Sequence, residues 1–132
     1  MSRHETWRTR KYWESNGGLL IEEFFAVRRA DGQGKRCLDG LIVLGEEKGI
    51  HKGTSFDIKG KDVIVIQTKK NRLGMYLLGQ AYFSKFLIEK FEPKSIRTVA
   101  ICGKGDTVLE KIAEMHGVEV VVMSDEEEKI FN

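Results

Sequence analysis

Apolar residues fall into short runs separated by polar and glycine-rich segments, and the period within each run predicts its secondary structure. Residues 3–15 have a helical pattern that ends at the helix-stop sequence NGG. Two strands follow, over residues 19–29 and 36–45, and the turn sequence ADGQGK between them predicts a hairpin. Residues 46–61, rich in glycine and lysine, are predicted to form a loop.

The second half of the chain alternates strands with helices. The run DVIVIQTK predicts a strand over residues 62–69, and the apolar helix predicted over residues 73–91 is closed by the only proline of the chain. Strands predicted over residues 97–103 and 118–123 flank a helix over residues 106–117. The predicted order is therefore α, β, β, β, α, β, α, β.

Continuous apolar runs such as IVI, VAI and VVVM indicate central strands that are covered on both faces. Because the later strands alternate with helices, we expect them to run parallel, whereas the hairpin strands run antiparallel. The sequence thus predicts an α/β fold with a mixed central sheet flanked by helices. The length of 132 residues suits one domain over residues 1–132.

The composition, 41% hydrophobic and 32% charged, is typical of a soluble globular protein. The N-terminal sequence is polar and basic rather than a signal peptide, and no apolar run has the length of a membrane span. We therefore expect a cytoplasmic protein with no membrane partner. Cys37 and Cys102 lack a CxxC spacing and lie in apolar stretches, which favours buried free thiols over a disulfide or zinc site.

Charge is unevenly distributed although the net charge is only +2. Residues 48–72 carry seven basic and two acidic side chains, whereas residues 92–132 carry five basic and nine acidic ones. One face of the protein is expected to attract a polyanion, although ordinary solubilising charge explains the same distribution.

Polar residues interrupt two of the apolar strands. Strand alternation puts Gln67 and Lys69 on one face, and Asp39 interrupts the run CLDGLIVL on the preceding strand. A carboxylate there must be paired, hydrated or bound to metal. One interpretation is a buried ion pair between Asp39 and Lys69 with Gln67 at the strand end. The other is a phosphodiester hydrolysis site, in which oxygen ligands hold Mg²⁺ and the lysine assists the attacking water.

The arrangement of these residues resembles that of the PD-(D/E)xK, or restriction-endonuclease-like, nuclease superfamily. Asp39, the pair Gln67 and Lys69, and the long helix after them match its D…(D/E/Q)xK pattern within an αβββαβ order. The resemblance extends from the first helix to the fifth strand and implies a restriction-endonuclease-like core with an extra C-terminal α-β unit. It also implies that Asp39, Gln67 and the main-chain carbonyl of Thr68 bind Mg²⁺ or Mn²⁺, and that Lys69 is the catalytic lysine.

Most members of the superfamily carry Asp or Glu at the position of Gln67, so this chain has one negative charge fewer at the predicted metal site. The superfamily often supplies a further acidic ligand from the first helix or first strand. Glu22 and Glu23 are the strand candidates, and only one of them can face the site because adjacent positions face opposite sides. Glu22 is slightly preferred because it shares a face with alternate apolar residues. Glu5 or Glu14 on the helix is a third alternative.

Basic residues beside the motif predict a nucleic-acid surface. Lys70 and Arg72 follow the motif directly, and Arg28, Arg29 and Arg36 lie on the hairpin. Side chains of this kind position a phosphate backbone without identifying its bases. We therefore expect DNA as the partner, with RNA as the alternative.

The helix predicted over residues 73–91 has two further features of interest. Gln80 invites comparison with the QxxxY motif of RecB-type nucleases, but Ser84 stands at the tyrosine position, so the match is incomplete. Gln80 is expected either to contact nucleic acid or to be an ordinary helix amide. The helix is apolar around most of its circumference, which predicts a homodimer with this helix near the interface.

Three function hypotheses follow. The first is a metal-dependent nuclease that hydrolyses the phosphodiester bonds of DNA through Asp39, Gln67, Lys69 and one glutamate. The second is a nuclease-fold protein with weak or no activity that binds nucleic acid or a protein partner, which Gln67 favours. The third is a nucleotide-binding protein that uses the glycine-rich turn ICGKGD at 101–106, although this turn lacks a complete P-loop or GxGxxG pattern.

Overall fold

A computed structural model describes the backbone of residues 3–30, 32–53 and 56–131, and the side chains of residues 6–30, 32–53 and 56–128. Helices and strands alternate much as the apolar pattern predicts. In chain order the elements are α1 Arg3–Asn16, β1 Leu19–Val27, β2 Arg36–Val43, β3 Gly49–Lys52, β4 Asp62–Arg72, α2 Met75–Ile88 with a 3₁₀ turn Glu89–Phe91, β5 Ser95–Lys104, α3 Thr107–Met115, β6 Val118–Val122 and α4 Asp125–Phe131.

The strands of the described residues form one six-stranded mixed sheet in the order β3-β1-β2-β4-β5-β6. The hairpin β1-β2 and the pair β2-β4 are antiparallel, whereas β4-β5 and β5-β6 are parallel. Parallel neighbours need a crossover, and α2 and α3 provide it, while a short turn suffices for the hairpin. The predicted α/β class, mixed sheet and hairpin are therefore confirmed.

Helices cover both faces of the sheet. On one face Trp7, Tyr12 and Trp13 of α1 pack against alternate residues of the strands, including Leu20 and Ile64. α2 and α3 cover the other face and pack on the opposite set of strand residues. Of the described helices, none has both the length and the apolar character needed to span a membrane.

Two elements were not predicted as they occur. The segment 46–61, predicted as a loop, contains the four-residue strand β3, which pairs with β1 in parallel. Its side chains are mostly exposed, so it carries no apolar alternation that could have revealed it. The acidic run after β6 begins helix α4, where Asp125 and the following glutamates occupy the first turn. Negative charge at a helix N-terminus is favoured by the helix dipole.

Side-chain alternation along β1 breaks at Glu23. This residue has a positive φ of 58°, and it lies opposite Asp39 in the β1-β2 register, which passes from Glu22↔Gly40 to Phe24↔Leu38. Leu20, before the break, packs under α1, whereas Phe24, after it, belongs to the core under α2. The kink therefore shifts which residues of β1 and β2 face each helical layer.

Candidate functional site

Strands β2 and β4 separate at Asp39. Their ladder runs from Val43↔Val63 to Gly40↔Ile66 and ends there. At the next position Asp39 uses its side chain instead: its Oδ2 atom accepts a hydrogen bond of 2.9 Å from the main-chain N–H of Thr68. The half-buried carboxylate thus lies in the opening between the two strands, directly beside the residue that separates Gln67 from Lys69.

The room beside Asp39 at Gly40 is used by the protein itself. A Cβ atom at Gly40 would lie 2.7 Å from the Cγ2 atom of Thr9 on α1, which is too close for any other residue. Gly40 therefore allows α1 to pack closely on the sheet, rather than leaving space for a ligand.

Gln67 is held by a short hydrogen-bond chain to α2. Its side-chain Nε2 atom donates to Ser84 Oγ at 2.9 Å, and the Ser84 hydroxyl donates to the main-chain oxygen of Gln80. Because that hydroxyl has a single proton, its oxygen must accept from the amide nitrogen of Gln67, which turns Oε1 the other way. No described residue donates a hydrogen bond to this Oε1, although the side chain is only 6% exposed. A carbonyl-type oxygen is therefore presented to the space beside the strand end.

Lys69 follows on the same face but reaches solvent. Its ammonium lies 5.8 Å from the centre of the Tyr76 ring on α2. It is exposed and belongs to none of the ion pairs found between described residues. The structure therefore differs from the interpretation in which Lys69 is the buried ion-pair partner of Asp39.

Glu22 lies away from this site. It is buried on the face covered by α1, where its Oε2 and Oε1 atoms accept hydrogen bonds of 2.8 and 3.0 Å from Arg10. The preference for Glu22 is corrected: regular alternation would have put it on one face with Phe24, but the kink at Glu23 places the two on opposite faces.

Glu23 is the strand glutamate that lies near Asp39. The pKa of the Cys37 thiol is raised above its ordinary value, first by partial burial and then by the negative charges of Glu23 and Asp39. Both carboxylates therefore act on the same thiol. Glu14 is exposed, and its Oε2 atom lies 3.7 Å from the Nζ atom of Lys48. The side chain of Glu5 falls outside the described residues.

Cys37 itself differs from the expectation of two buried thiols. Cys102 is buried as predicted, but Cys37 is exposed. Residue 37 lies at the start of β2, before the apolar run reaches the covered part of the sheet. An apolar flanking sequence therefore does not ensure burial at a strand end.

A cavity of about 410 Å³ opens beside the strand ends, between β2, β4 and α2. Tyr76, Gln80, Phe83, Ser84 and Leu87 contribute one wall, and they recur along α2 at helical spacing. The opposite wall and floor come from the strands: Arg36, Cys37, Leu38 and Gln67. The sequence contained the signal for this wall, a stripe of aromatic and amide side chains on one helix face, but the apolar character of the helix concealed it.

The predicted nucleic-acid-binding residues lie at one end of the sheet. The β2-β4 register brings the start of β2 to the end of β4, and β5 runs parallel to β4 and ends at the same edge. Exposed basic residues at this edge form what we call the basic rim: Arg28, Arg29, Lys35, Arg36, Lys69, Lys70, Arg72 and Lys104. Gln80 lies beside the rim, in the cavity wall.

The glycine-rich turn after β5 has a structural explanation. The side chain of Asp106 accepts hydrogen bonds from the main-chain N–H groups of Val108 and Leu109 and so caps helix α3. The carboxylate occupies the helix N-terminus that a nucleotide phosphate would use. The third hypothesis, nucleotide binding at this turn, therefore gains no support.

The oxygen atoms near the separation of β2 and β4 are of the kind that a hard cation such as Mg²⁺ binds. Asp39, Glu23, the Gln67 Oε1 atom and the Thr68 carbonyl are all oxygen donors. No cluster of three or more His, Cys, Asp or Glu side chains that could hold a metal ion occurs in the described part of the chain. Mg²⁺ typically uses one or two carboxylates and takes its remaining ligands from water and substrate phosphates. The residues therefore fit a Mg²⁺ site that substrate completes.

Comparison of the chain with protein-family models, with curated proteins and with solved structures gave no match. The function is therefore argued from the geometry of Asp39, Gln67 and Lys69 and their surroundings.

Proposed function

We propose that the protein is a metal-dependent nuclease with a restriction-endonuclease-like core, acting on DNA in the cytoplasm. The observation that carries the proposal is the strand separation at Asp39. There a carboxylate binds the Thr68 N–H, while Gln67 and Lys69 on either side present a carbonyl-type oxygen and an exposed ammonium. An acidic group, an oxygen donor and a cation beside one strand end are the parts that phosphodiester hydrolysis requires.

Each residue has a distinct role in this proposal. Asp39, Gln67 and the Thr68 carbonyl hold Mg²⁺ or Mn²⁺, and Glu23 supplies the second negative charge. The bound metal would lower the pKa of a water molecule and neutralise charge on the phosphate. Lys69 orients the attacking water and stabilises negative charge that develops on the phosphoryl oxygens.

The basic rim positions the DNA. Its side chains lie at the strand ends, and cationic side chains bind phosphates whatever the base sequence. Because Lys69 belongs both to the rim and to the proposed catalytic set, a backbone held along the rim passes over Asp39. The proposal therefore predicts binding that weakens steeply as salt concentration rises.

A second candidate function is nucleic-acid binding without efficient cleavage. The observation that favours it is the hydrogen bond from Gln67 to Ser84, which holds an amide where most members of the superfamily have a carboxylate. A neutral ligand lowers the affinity of the site for Mg²⁺ relative to a carboxylate. In this case Gln67→Glu should create or strongly increase cleavage.

Cleavage of labelled DNA with Mg²⁺ or Mn²⁺ tests the first function. Asp39→Asn, Lys69→Met and Glu23→Gln should each lower the cleavage rate by about 100-fold or more, because each removes a ligand or a stabilising charge. The matched controls are Glu22→Gln, on the opposite face, and Lys94→Met, exposed at the opposite end of the sheet. Full activity in the Asp39 and Lys69 variants would refute the proposed catalytic site, and an inert wild type activated by Gln67→Glu would establish the second function.

The proposal includes a homodimer formed through α2. Large apolar side chains on α2 and α3 are exposed, and we call them the apolar patch: Met75, Phe86, Val108, Ile112 and Met115. Met75 and Ile112 of this patch also line a groove of about 420 Å³, whose other lining residues on both helices are mainly apolar. A patch that carries both protruding methionines and a groove is complementary to itself, as a two-fold interface requires. A second copy is therefore the occupant that we propose.

A further inference from the structure

The cavity beside the catalytic strand end has two kinds of lining. Tyr76 and Phe83 contribute aromatic rings that are 72% and 63% exposed, and Leu38 and Leu87 contribute apolar surface. Polar side chains also line the cavity, among them Arg36, Gln67 and Gln80. An open cavity that combines exposed rings with hydrogen-bonding groups is not what packing of α2 on the sheet would require, because buried apolar contacts alone would serve that purpose.

Gln80 is the most informative of these residues. Its main-chain oxygen accepts a hydrogen bond from Ser84, as expected within a helix, but its side-chain amide makes no hydrogen bond to any described residue. The side chain is half-buried in the cavity wall. An amide offers one acceptor and two donor hydrogens, which is the combination that binds the edge of a nucleobase.

The cavity adjoins the proposed catalytic residues. Gln67 belongs to both, and the Lys69 ammonium lies 5.8 Å from the ring of Tyr76. A phosphodiester held at Asp39 and Lys69 therefore has a neighbouring nucleotide at the mouth of the cavity. Aromatic rings, an amide and a nearby cation are the groups with which proteins hold an unstacked base.

We infer that this cavity binds an unpaired nucleobase, so that the substrate of the proposed nuclease is single-stranded DNA. A base inside a duplex is stacked on both faces and paired along its edge, so it presents neither its rings to Tyr76 and Phe83 nor its edge to Gln80. Arg36 at the cavity rim binds the phosphate beside the inserted base. This inference rests on the proposed function for its account of cleavage, but not for its account of binding.

Binding without catalysis tests the inference. A labelled oligonucleotide, single-stranded or annealed to its complement, is titrated with protein in EDTA and followed by fluorescence anisotropy. The wild type should bind the single strand more tightly than the duplex. Tyr76→Ala and Phe83→Ala should weaken single-strand binding by about 10-fold each, as the loss of one stacking partner does, and leave duplex binding unchanged. The control is Ile50→Ala, an exposed apolar side chain on β3 that belongs neither to the cavity lining nor to the apolar patch.

An oligonucleotide in which abasic sites replace the bases separates base binding from backbone binding. It should bind Tyr76→Ala and wild type equally, because the basic rim alone then holds it. Equal affinity of the wild type for single strand and duplex, or an equal loss of both in Tyr76→Ala, would overturn the inference. Single-strand preference without metal-dependent cleavage would refute the nuclease and support the base site, whereas cleavage without that preference would overturn the base site alone.

Discussion

Cys37 reports on the charges of the candidate site. The residue is exposed, and its pKa is raised above the ordinary value, first by partial burial of the thiol and then by the charges of Glu23 and Asp39. Because only the thiolate is nucleophilic, thiol–disulfide exchange of the native protein with a reagent should be slow at neutral pH and accelerate as the pH rises through that pKa. Glu23→Gln and Asp39→Asn each remove one of the charges that raise it. Each variant should react about two- to threefold faster at pH 8, measured as the rate of reaction with a chromogenic disulfide.

The comparison has internal controls. Cys37→Ser gives the background rate, since Cys102 is buried, and Glu22→Gln on the opposite face should leave the pH profile of Cys37 in place. Mg²⁺ bound at the two carboxylates should neutralise their charge. It should therefore lower the pKa of Cys37, as the substitutions Glu23→Gln and Asp39→Asn do. Identical profiles for wild type, Glu23→Gln and Asp39→Asn would show that the carboxylates do not act on Cys37.

Strands β4 and β5 approach each other closely just after Lys69. Beyond Lys69 the β4-β5 register shifts, and β4 passes so near β5 that a Cβ atom on Gly103 would overlap the main-chain oxygen of Lys70. The strand then turns into α2, with the Leu73 N–H bound to the Lys104 oxygen at 2.8 Å. The lack of a side chain at residue 103 therefore permits the strand geometry that presents Lys69 to the site.

Alanine substitution should have opposite effects on stability at Gly103, which has no room for a side chain, and at Gly79, which has room. Gly103→Ala should lower the free energy of unfolding by about 1–3 kcal/mol, because backbone atoms must move to accept the methyl group. Gly79→Ala on α2 meets no atom within 4 Å and should raise it by about 0.5–1 kcal/mol, since alanine favours helix. Urea denaturation of both variants checks the prediction. Equal stability of Gly103→Ala and wild type would mean that β4 and β5 are less close than described.

Across the whole molecule, charge and apolar surface are separated. The basic rim lies at one end of the sheet, and the apolar patch lies on the outer surface of α2 and α3. A dimer through the patch would leave both rims accessible to DNA. We therefore expect mutations to separate the proposed dimerisation from the proposed DNA binding.

Charges introduced into the patch should produce monomers. Ile112→Glu and Met115→Lys, at positions 45% and 78% exposed, should shift the mass measured by light scattering from dimer to monomer without changing the circular dichroism spectrum. Ile50→Lys, on the edge strand β3 and also exposed, is the matched control and should remain dimeric. A wild type that is monomeric at every concentration would contradict the proposed interface.

Much of the fold follows from local patterns. The α/β class, the hairpin, the element order and the shared face of Gln67 and Lys69 all depend on periodicities that act over a few residues. The ends of the elements are harder to predict from sequence: β4 continues to Arg72, three residues beyond its predicted end at residue 69, because β5 offers partners there. Strand β3 likewise exists through its pairing with β1 rather than through its own sequence.

The sequence by itself identified the candidate site residues, since Asp39, Gln67 and Lys69 are polar at places where their strands are otherwise apolar. Only the tertiary structure decided which of them meet and what surrounds them. It separated β2 from β4 at Asp39, placed Glu22 opposite Arg10 and Glu23 near Cys37, and set the Tyr76 and Gln80 stripe of α2 beside Gln67. The physical reason is that a side chain's type and spacing are local properties, whereas its face and neighbours depend on strand register, a backbone kink and helix packing between distant segments.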